Sequence, residues 1–298
     1  MNRVMATGEG ADDRIADLVD DILVQTPLKA AAFIVTIYGD VVEPRGGVVW
    51  IGNLIETCAA VSISETLVRT AVSRLVAAGQ LVGEREGRRS YYRLSTAAGS
   101  EFAAAARIIF GSAEEESWQL VHLTGAEVEE RMQALERAGY ARLDPRLAIG
   151  PARQVAGLAD ALTLRAHSDD PKALAAFVQA YWNLAPHAAA YRLFLDQFRP
   201  VAALAEKHPV APATALTMRL LLIHRFRTVL LRDPRLPAAA LPPDWPGLEA
   251  RRLFAALYLL LSPSADDHIG RNFISASGPL RAMTEEIEKR LSLLETQA

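Results

Sequence analysis

The sequence predicts a mainly helical α+β chain, and three observations lead there. Apolar residues recur at helical spacing through most of the 298 residues. Alternating, strand-like runs are short and all lie before residue 166. From Pro171 onward the pattern is helical, with expected breaks at Pro200, His208-Pro209, Asp233-Pro234, Pro242-Pro243 and Pro263. A length about twice that of a typical domain, with 51% apolar and 22% charged residues, calls for two or three units with real cores, not a disordered chain.

Composition also excludes classes of protein. The longest uninterrupted apolar run, residues 253–261, covers nine positions. An α-helix needs roughly 20 to cross a bilayer, so no membrane span is expected. The N-terminus lacks the apolar stretch of a secretion signal, and a cytoplasmic location is expected. One cysteine, Cys58, can form neither an intrachain disulfide nor a cysteine-based zinc site, and it is expected to pack as a small hydrophobe. The net charge of −3 hides an uneven distribution. Residues 1–24 hold two Arg against six acids, whereas residues 69–107 hold seven Arg against three Glu. Positive charge is therefore concentrated in one segment.

Residues 1–28 read as an acidic leader helix with a short apolar stripe of Ile15, Leu18, Val19, Ile22 and Leu23. A helix over 29–38 is expected to stop at Gly39-Asp40, and Pro44-Arg45-Gly46-Gly47 reads as a turn before a strand, Val48-Val49-Trp50. Ile51, Leu54, Ile55 and Cys58 then stand at i, i+3, i+4 and i+7, the stripe of a short buried helix. Ser64 and Glu65 suit the cap and first turn of a helix reaching Ala78, closed by Gly79. On it Leu67, Val68, Ala71, Val72, Leu75 and Val76 form the expected buried face, leaving Thr66, Arg69, Thr70, Ser73 and Arg74 outside. Residues 81–86 and 90–94 read as strands joined by Gly87-Arg88-Arg89, and a helix over 96–110 completes the segment. Helix, strand, helix, helix, hairpin is the order of a winged helix-turn-helix, assigned to residues 29–111. After a linker at 111–116, strand-like 118–123, helical 126–138, strand-like 147–149, a helix near 153–159 and strand-like 162–165 suggest a small ferredoxin-like α/β domain over 112–168. Residues 169–298 are expected to be an all-helical domain for effector binding and dimerisation.

The chemistry of the basic segment points to double-stranded DNA. A reading helix must place short donors and acceptors at base edges while its back packs on a core. Arg69, Thr70 and Ser73 lie on one exposed strip, with Arg69 as a bidentate guanine reader and Arg74 at its edge for a phosphate. Arg88 and Arg89 at the hairpin tip suit phosphates or the minor groove. Of Tyr91 and Tyr92, which point to opposite faces of a strand, one is expected in the core and the other against the sugar-phosphate backbone. Arg45 is a further backbone-contact candidate, set against a purely structural turn. An ordinary solvated helix and a merely charged turn compete with this reading, and it is their adjacency that favours DNA.

The chain resembles the PaaX family of phenylacetate-degradation operon repressors. The likeness rests on Ile37-Tyr38-Gly39-Asp40, Pro44-Arg45-Gly46-Gly47 with Trp50, Leu67-Val68-Arg69-Thr70, and Gly87-Arg88-Arg89-Ser90-Tyr91-Tyr92-Arg93-Leu94. It continues through residues 230–237, Leu241-Pro242-Pro243-Asp244-Trp245-Pro246-Gly247, and Gly278-Pro279-Leu280. The resemblance implies a repressor released from its operator by phenylacetyl-coenzyme A, and a homodimer is expected because twofold protein symmetry meets the twofold pseudo-symmetry of an operator. Next to Trp182 the family often carries Asp where this chain has Asn183.

Effector-binding candidates are Trp182 and Tyr191 from an aromatic stripe, and Arg219, His224, Arg225, Arg227 and Arg232 on and after an apolar helix. Cations beside apolar surface suit an anionic, partly aromatic acyl-coenzyme A. For each residue singly, packing or helix solubilisation is the competing reading. No cofactor or metal is expected, because the six His residues show no metal-ligand spacing, and no phosphate-binding glycine loop or nucleophile elbow appears. Two alternatives stay open: an enzyme or binding protein acting on coenzyme A thioesters with the winged helix as a platform, and a constitutive DNA-binding scaffold without ligand.

Overall fold

Along the chain of the computed structural model, which describes residues 5–111, 117–153, 155, 158 and 160–298, helix α1 (Met5–Gln25) leads into α2 (Ala30–Ile37). The backbone then widens into a π-helical turn, Tyr38–Val42, and tightens into a 3₁₀ turn, Glu43–Arg45. The stop expected at Gly39-Asp40 is therefore displaced: the coil persists because Phe33, Ile37, Tyr38, Val41 and Val42 all bury their side chains. β1 (Val48–Trp50), α3 (Ile51–Ala59), α4 (Glu65–Ala77), β2 (Leu81–Glu86), β3 (Arg89–Leu94) and α5 (Thr96–Phe110) follow. Next come β4 (Trp118–His122), α6 (Val128–Arg137), β5 (Ala141–Arg142), β6 (Leu147–Pro151) and β7 (Leu162–Ala166). The chain ends with α7 (Pro171–Tyr181), α8 (Ala185–Ala205), α9 (Pro212–Leu230), α10 (Gly247–Asn272), the short pair β8 (Ile274–Ser275) and β9 (Gly278–Pro279), and α11 (Glu285–Glu295). The chain is thus mainly helical with small sheets, and the region expected to be all-helical carries the β8–β9 pair, whose two short strands close a tight turn.

Two expected breaks are not breaks. Pro200 lies inside α8 and Pro263 inside α10. Each proline is exposed while Phe198 and Val201, or Ser262 and Ala265, are buried beside it. Packing on both sides holds the helix through the lost backbone hydrogen bond, a defect worth about 3 kcal/mol. Of the helix expected near 153–159, residues 154, 156, 157 and 159 lie outside the description, and Arg153, Val155 and Leu158 are in non-helical backbone. The expected linker lies outside it too, apart from Gly111.

The chain divides into two compact units that do not follow chain continuity. The first draws together residues 1–111, 193–228 and 249–298. Its sheet is antiparallel in the order β1-β3-β2, with Trp50 opposite Tyr91 and Glu86 opposite Arg89. Its interior is aromatic: Phe226 stacks on Phe254 with centroids 4.1 Å apart, and Phe194, Phe198, Phe110 and Tyr258 extend the cluster. Leader helix α1 belongs to this unit through buried Ile15, Val19 and Ile22, and Asp12 accepts a hydrogen bond from the backbone N–H of Ala211.

The second unit comprises residues 112–192 and 229–248. Its sheet is antiparallel in the order β5-β6-β4-β7. One cluster packs Val121 and Ala148 against Met132 and Leu135 of α6. Another gathers Trp118, Leu174, Val178, Leu236 and Ala240. Among the described residues no helix is long and apolar enough to cross a membrane.

Candidate nucleic-acid interface

Helix α4 begins where the sequence places it. Ser64 is in extended backbone, and its hydroxyl oxygen accepts from the N–H of Leu67, satisfying one of the otherwise unpaired first-turn donors. Only Val68, Ala71, Val72 and Leu75 are buried. Leu67 and Val76, expected inside, are 55% and 39% exposed. At 3.6 residues per turn, the four buried positions span about 100° of the helix. Thr66, Leu67, Arg69, Thr70, Ser73, Arg74, Val76 and Ala77 face outward. The helix rests on a narrow strip and stands proud of the core.

Its polar groups are arranged in detail. The Oε1 of Glu65 accepts from Nε of Arg69 at 2.7 Å and stands 2.7 Å from its Nη2 as an ion pair. The Thr70 hydroxyl donates to the Thr66 carbonyl at 2.8 Å, which leaves its oxygen as an outward acceptor. Ser73 is exposed, as is Arg74, which has no ion pair among the described residues.

The hairpin beside α4 turns on two residues, Gly87 and Arg88, so Arg89 belongs to β3 and not to the turn. Gly87 has φ 58°, while Arg88 is not among the positive-φ residues. Positive φ at the first turn residue alone marks a type II′ turn, where glycine is favoured. Arg88 projects freely from the tip. The Arg89 guanidinium carbon lies 5.2 Å from the centroid of the Trp50 ring on the paired strand β1. That ring in turn lies on Gly52, where an added Cβ would come within 2.3 Å of it. Trp50 and Gly52 thus seat Arg89. No local period in the sequence reports this role, because Trp50 lies on the edge strand β1 and Arg89 on the central strand β3.

Two DNA candidates are turned inward. Tyr91 is buried, so it is the core member of its tyrosine pair, whereas Tyr92 is half-buried opposite Gly83. The Arg45 side chain is 0% exposed and sits 2.6 Å from Asp266. It also donates to the carbonyls of Val41, Arg281 and Ala282. No phosphate can reach it there; the Pro-Arg-Gly-Gly segment is a structural turn.

Arg45 belongs to a buried ionic network that sequence reasoning did not foresee. Arg219, fully buried, donates through Nε to Asp40 at 3.1 Å and through Nη1 to Asp266 at 2.7 Å. The Tyr258 hydroxyl donates to Asp40 at 2.6 Å. Burial works against the Arg219 charge, but Asp40 and Asp266 outweigh it and hold its pKa above the ordinary value. Burial, and then the repulsion of Arg219, push that of Arg45 down. Both remain charged. Arg219, a candidate effector ligand, is therefore committed to the interior.

The other effector candidates divide between the units. In the first, His224 Nδ1 and the Thr36 hydroxyl lie 2.7 Å apart. Burial, reinforced by Arg225 and Arg227, pushes the His224 pKa down to about 3. Arg225 donates to the Thr26 carbonyl, and burial pushes its pKa down to about 10. Arg227 is half-buried with its Nε unpartnered. Neither arginine has an ion pair among the described residues. In the second unit, the Tyr191 hydroxyl donates to Asp233 at 2.7 Å, and the Trp182 indole N–H donates to the Gly139 carbonyl at 3.0 Å. Arg232 is exposed. Among the described residues no group of three or more His, Cys, Asp or Glu side chains is placed to hold a metal ion. Cys58 is buried, which pushes its thiol pKa up to about 12.

Comparison with known proteins finds sequence relatives over most of the chain. Residues 29–98 match the model of the PaaX-like protein family, and residues 182–271 match that of the PaaX-like protein C-terminal domain. The chain is 31% identical over 281 residues to the transcriptional repressor PaaX of Escherichia coli (strain K12), covering 86% of this chain and 88% of that protein. Among solved structures, the uncharacterized protein Rv0674 from Mycobacterium tuberculosis aligns with a TM-score of 0.46 at 22% identity, over 72% of this chain and 89% of that one.

Proposed function

The chain belongs to the PaaX-like protein family, and from that membership we propose that it is a transcriptional repressor binding double-stranded operator DNA through α4 and the β2–β3 hairpin. The observation that carries the reading is the narrow seat of α4: four buried residues anchor it, and the rest of its circumference is free to enter a major groove. Residues 29–111 are read as a winged helix-turn-helix. Arg69 reads guanine, Thr70 and Ser73 contact base edges, and Arg74, Arg88 and Arg89 hold phosphates or reach the minor groove. Sheet order β5-β6-β4-β7, all antiparallel, supports a ferredoxin-like middle domain.

The protein acts as a regulator and not as an enzyme, in the cytoplasm where its operator is. A homodimer fits the twofold symmetry of operators. The regulated genes belong to an aromatic-acid, phenylacetate-type catabolic operon, and an acyl-coenzyme A thioester such as phenylacetyl-coenzyme A releases the repressor. Half-buried Arg225 and Arg227, without carboxylate partners among the described residues, are cations suited to its phosphates. Effector and DNA must weaken each other's binding by the same factor.

Selection from a random duplex pool tests the reading. The wild type is expected to enrich one motif and to bind it with strong salt dependence, and Arg69→Ala and Arg88→Ala are expected to lose that binding. Weak, sequence-independent binding by the wild type overturns it. Thermal shift across acyl-coenzyme A compounds identifies the effector, since a ligand of the native state raises the melting temperature.

A further inference from the structure

We propose that Glu65 determines the specificity of the interface: it grips the Arg69 guanidinium by one edge, presents the other edge to guanine, and withholds this arginine from phosphates. The inference rests on α4 being the reading helix.

Glu65 is the only acid in the α4 sequence. It stands in the first turn, the end from which a reading helix reaches base edges. The helix dipole favours an acid there, but a carboxylate entering a groove between two rows of phosphates is repelled. It is tolerable only if it faces a donor. The structure supplies one, since a single oxygen, Oε1, accepts from Nε–H of Arg69 at 2.7 Å and lies 2.7 Å from Nη2 on the same edge.

That geometry divides the guanidinium. Its Nε/Nη2 edge is occupied, and the end formed by Nη1 and the second Nη2 hydrogen is open, the pair needed for O6 and N7 of guanine. Glu65 thus removes one of the two ways in which Arg69 could engage DNA and leaves the sequence-reading one. Its other oxygen, Oε2, is left to accept from the N4 amino group of a neighbouring cytosine. Arg74 provides the internal contrast. It is exposed on the same helix without an ion pair among the described residues and is free to take a phosphate on any sequence. Both members of the Glu65–Arg69 pair are more than half exposed, so the pair adds little to stability. Its value lies in orientation.

The test uses the full chain and the duplex that the wild type selects. Binding is measured to that duplex, to versions with each G·C pair changed to A·T, and to a scrambled duplex, all across a salt series. Glu65→Gln is expected to bind the scrambled duplex about tenfold more tightly, with a salt slope steeper by about 0.9, because Arg69 becomes free to take one more phosphate. Its preference for guanine at one position should fall about fivefold or more, the low end of what a bidentate contact supplies. In an Arg69→Ala background the same substitution should leave guanine preference unchanged. If Glu65→Gln keeps both the guanine preference and the ratio of selected to scrambled binding, or changes them equally with and without Arg69, the inference is overturned. If the wild type selects no sequence, it is the reading of α4 as a DNA helix that fails, and this result is distinct from the last.

Discussion

Arg45 and Arg219 show how the meaning of a charged residue is decided by what it faces. Both stand in segments that suit anion binding, yet both guanidiniums close on Asp266 in the interior. A buried ion pair adds little net stability when intact, but removing one partner leaves an uncompensated charge and costs about 3–5 kcal/mol. Arg45→Ala is therefore expected to lower the unfolding free energy from urea titration by that amount while the folded variant keeps the wild-type salt slope for DNA. A phosphate contact would instead lower that slope by about 0.9. His224 adds a pH dependence. Its pKa is about 3 in the folded protein, from an ordinary value of 6.5, chiefly through burial. Between those values the unfolded chain binds a proton that the folded one refuses. Stability is thus unaffected above 6.5 and declines as pH falls through the window toward 3. Wild type should lose about 2 kcal/mol from this residue between pH 7 and pH 5. Urea titrations of His224→Gln at the two pH values should lack that share.

At the scale of elements, much of the α4 and hairpin region is legible in the sequence. The Ser64 cap, the outward hydroxyls and the glycine turn are local features, and local chemistry decides them. Leu67 and Val76 were misplaced because apolar periodicity predicts a buried half-cylinder, whereas the core covers only the strip from Val68 to Leu75. Proline positions misled in the same way, since α8 and α10 pass through Pro200 and Pro263 once both flanks are packed. The seat of Arg89 is a device of paired strands: Gly52 admits the Trp50 ring, and the ring carries the guanidinium. Gly52→Ala should therefore displace Trp50, visible as a change in tryptophan fluorescence, at about 1–3 kcal/mol of stability. It should weaken DNA binding about as much as Arg89→Ala does. Unchanged fluorescence and affinity would remove Trp50 from the interface.

For the molecule as a whole, the first unit is closed by distant segments. Beyond Leu280, the Thr284 hydroxyl donates to the Pro44 carbonyl at 2.8 Å, Arg290 donates to the Gly39 carbonyl at 2.8 Å, and the carbonyls of Arg281 and Ala282 accept from Arg45. The C-terminal segment is thus a brace for the coil that precedes the β1-β3-β2 sheet. A chain ended after Leu280 is expected to melt several degrees lower and to lose DNA affinity, read by calorimetry and duplex titration; an unchanged melting temperature would make the segment dispensable. Domains read as contiguous stretches group the chain differently from its contacts, because residues 193–228 and 249–298 join the N-terminal unit while 229–248 join the other. By itself the sequence determined most helices, the longer strands and the exposed basic strip of α4, along with the family motifs, because caps, turns and apolar periods act over a few residues. Only the tertiary structure decided that Arg45, Tyr91 and Arg219 face inward. The deciding partners of Arg45 and Arg219 lie 221 and 179 positions away, so no local period could report them.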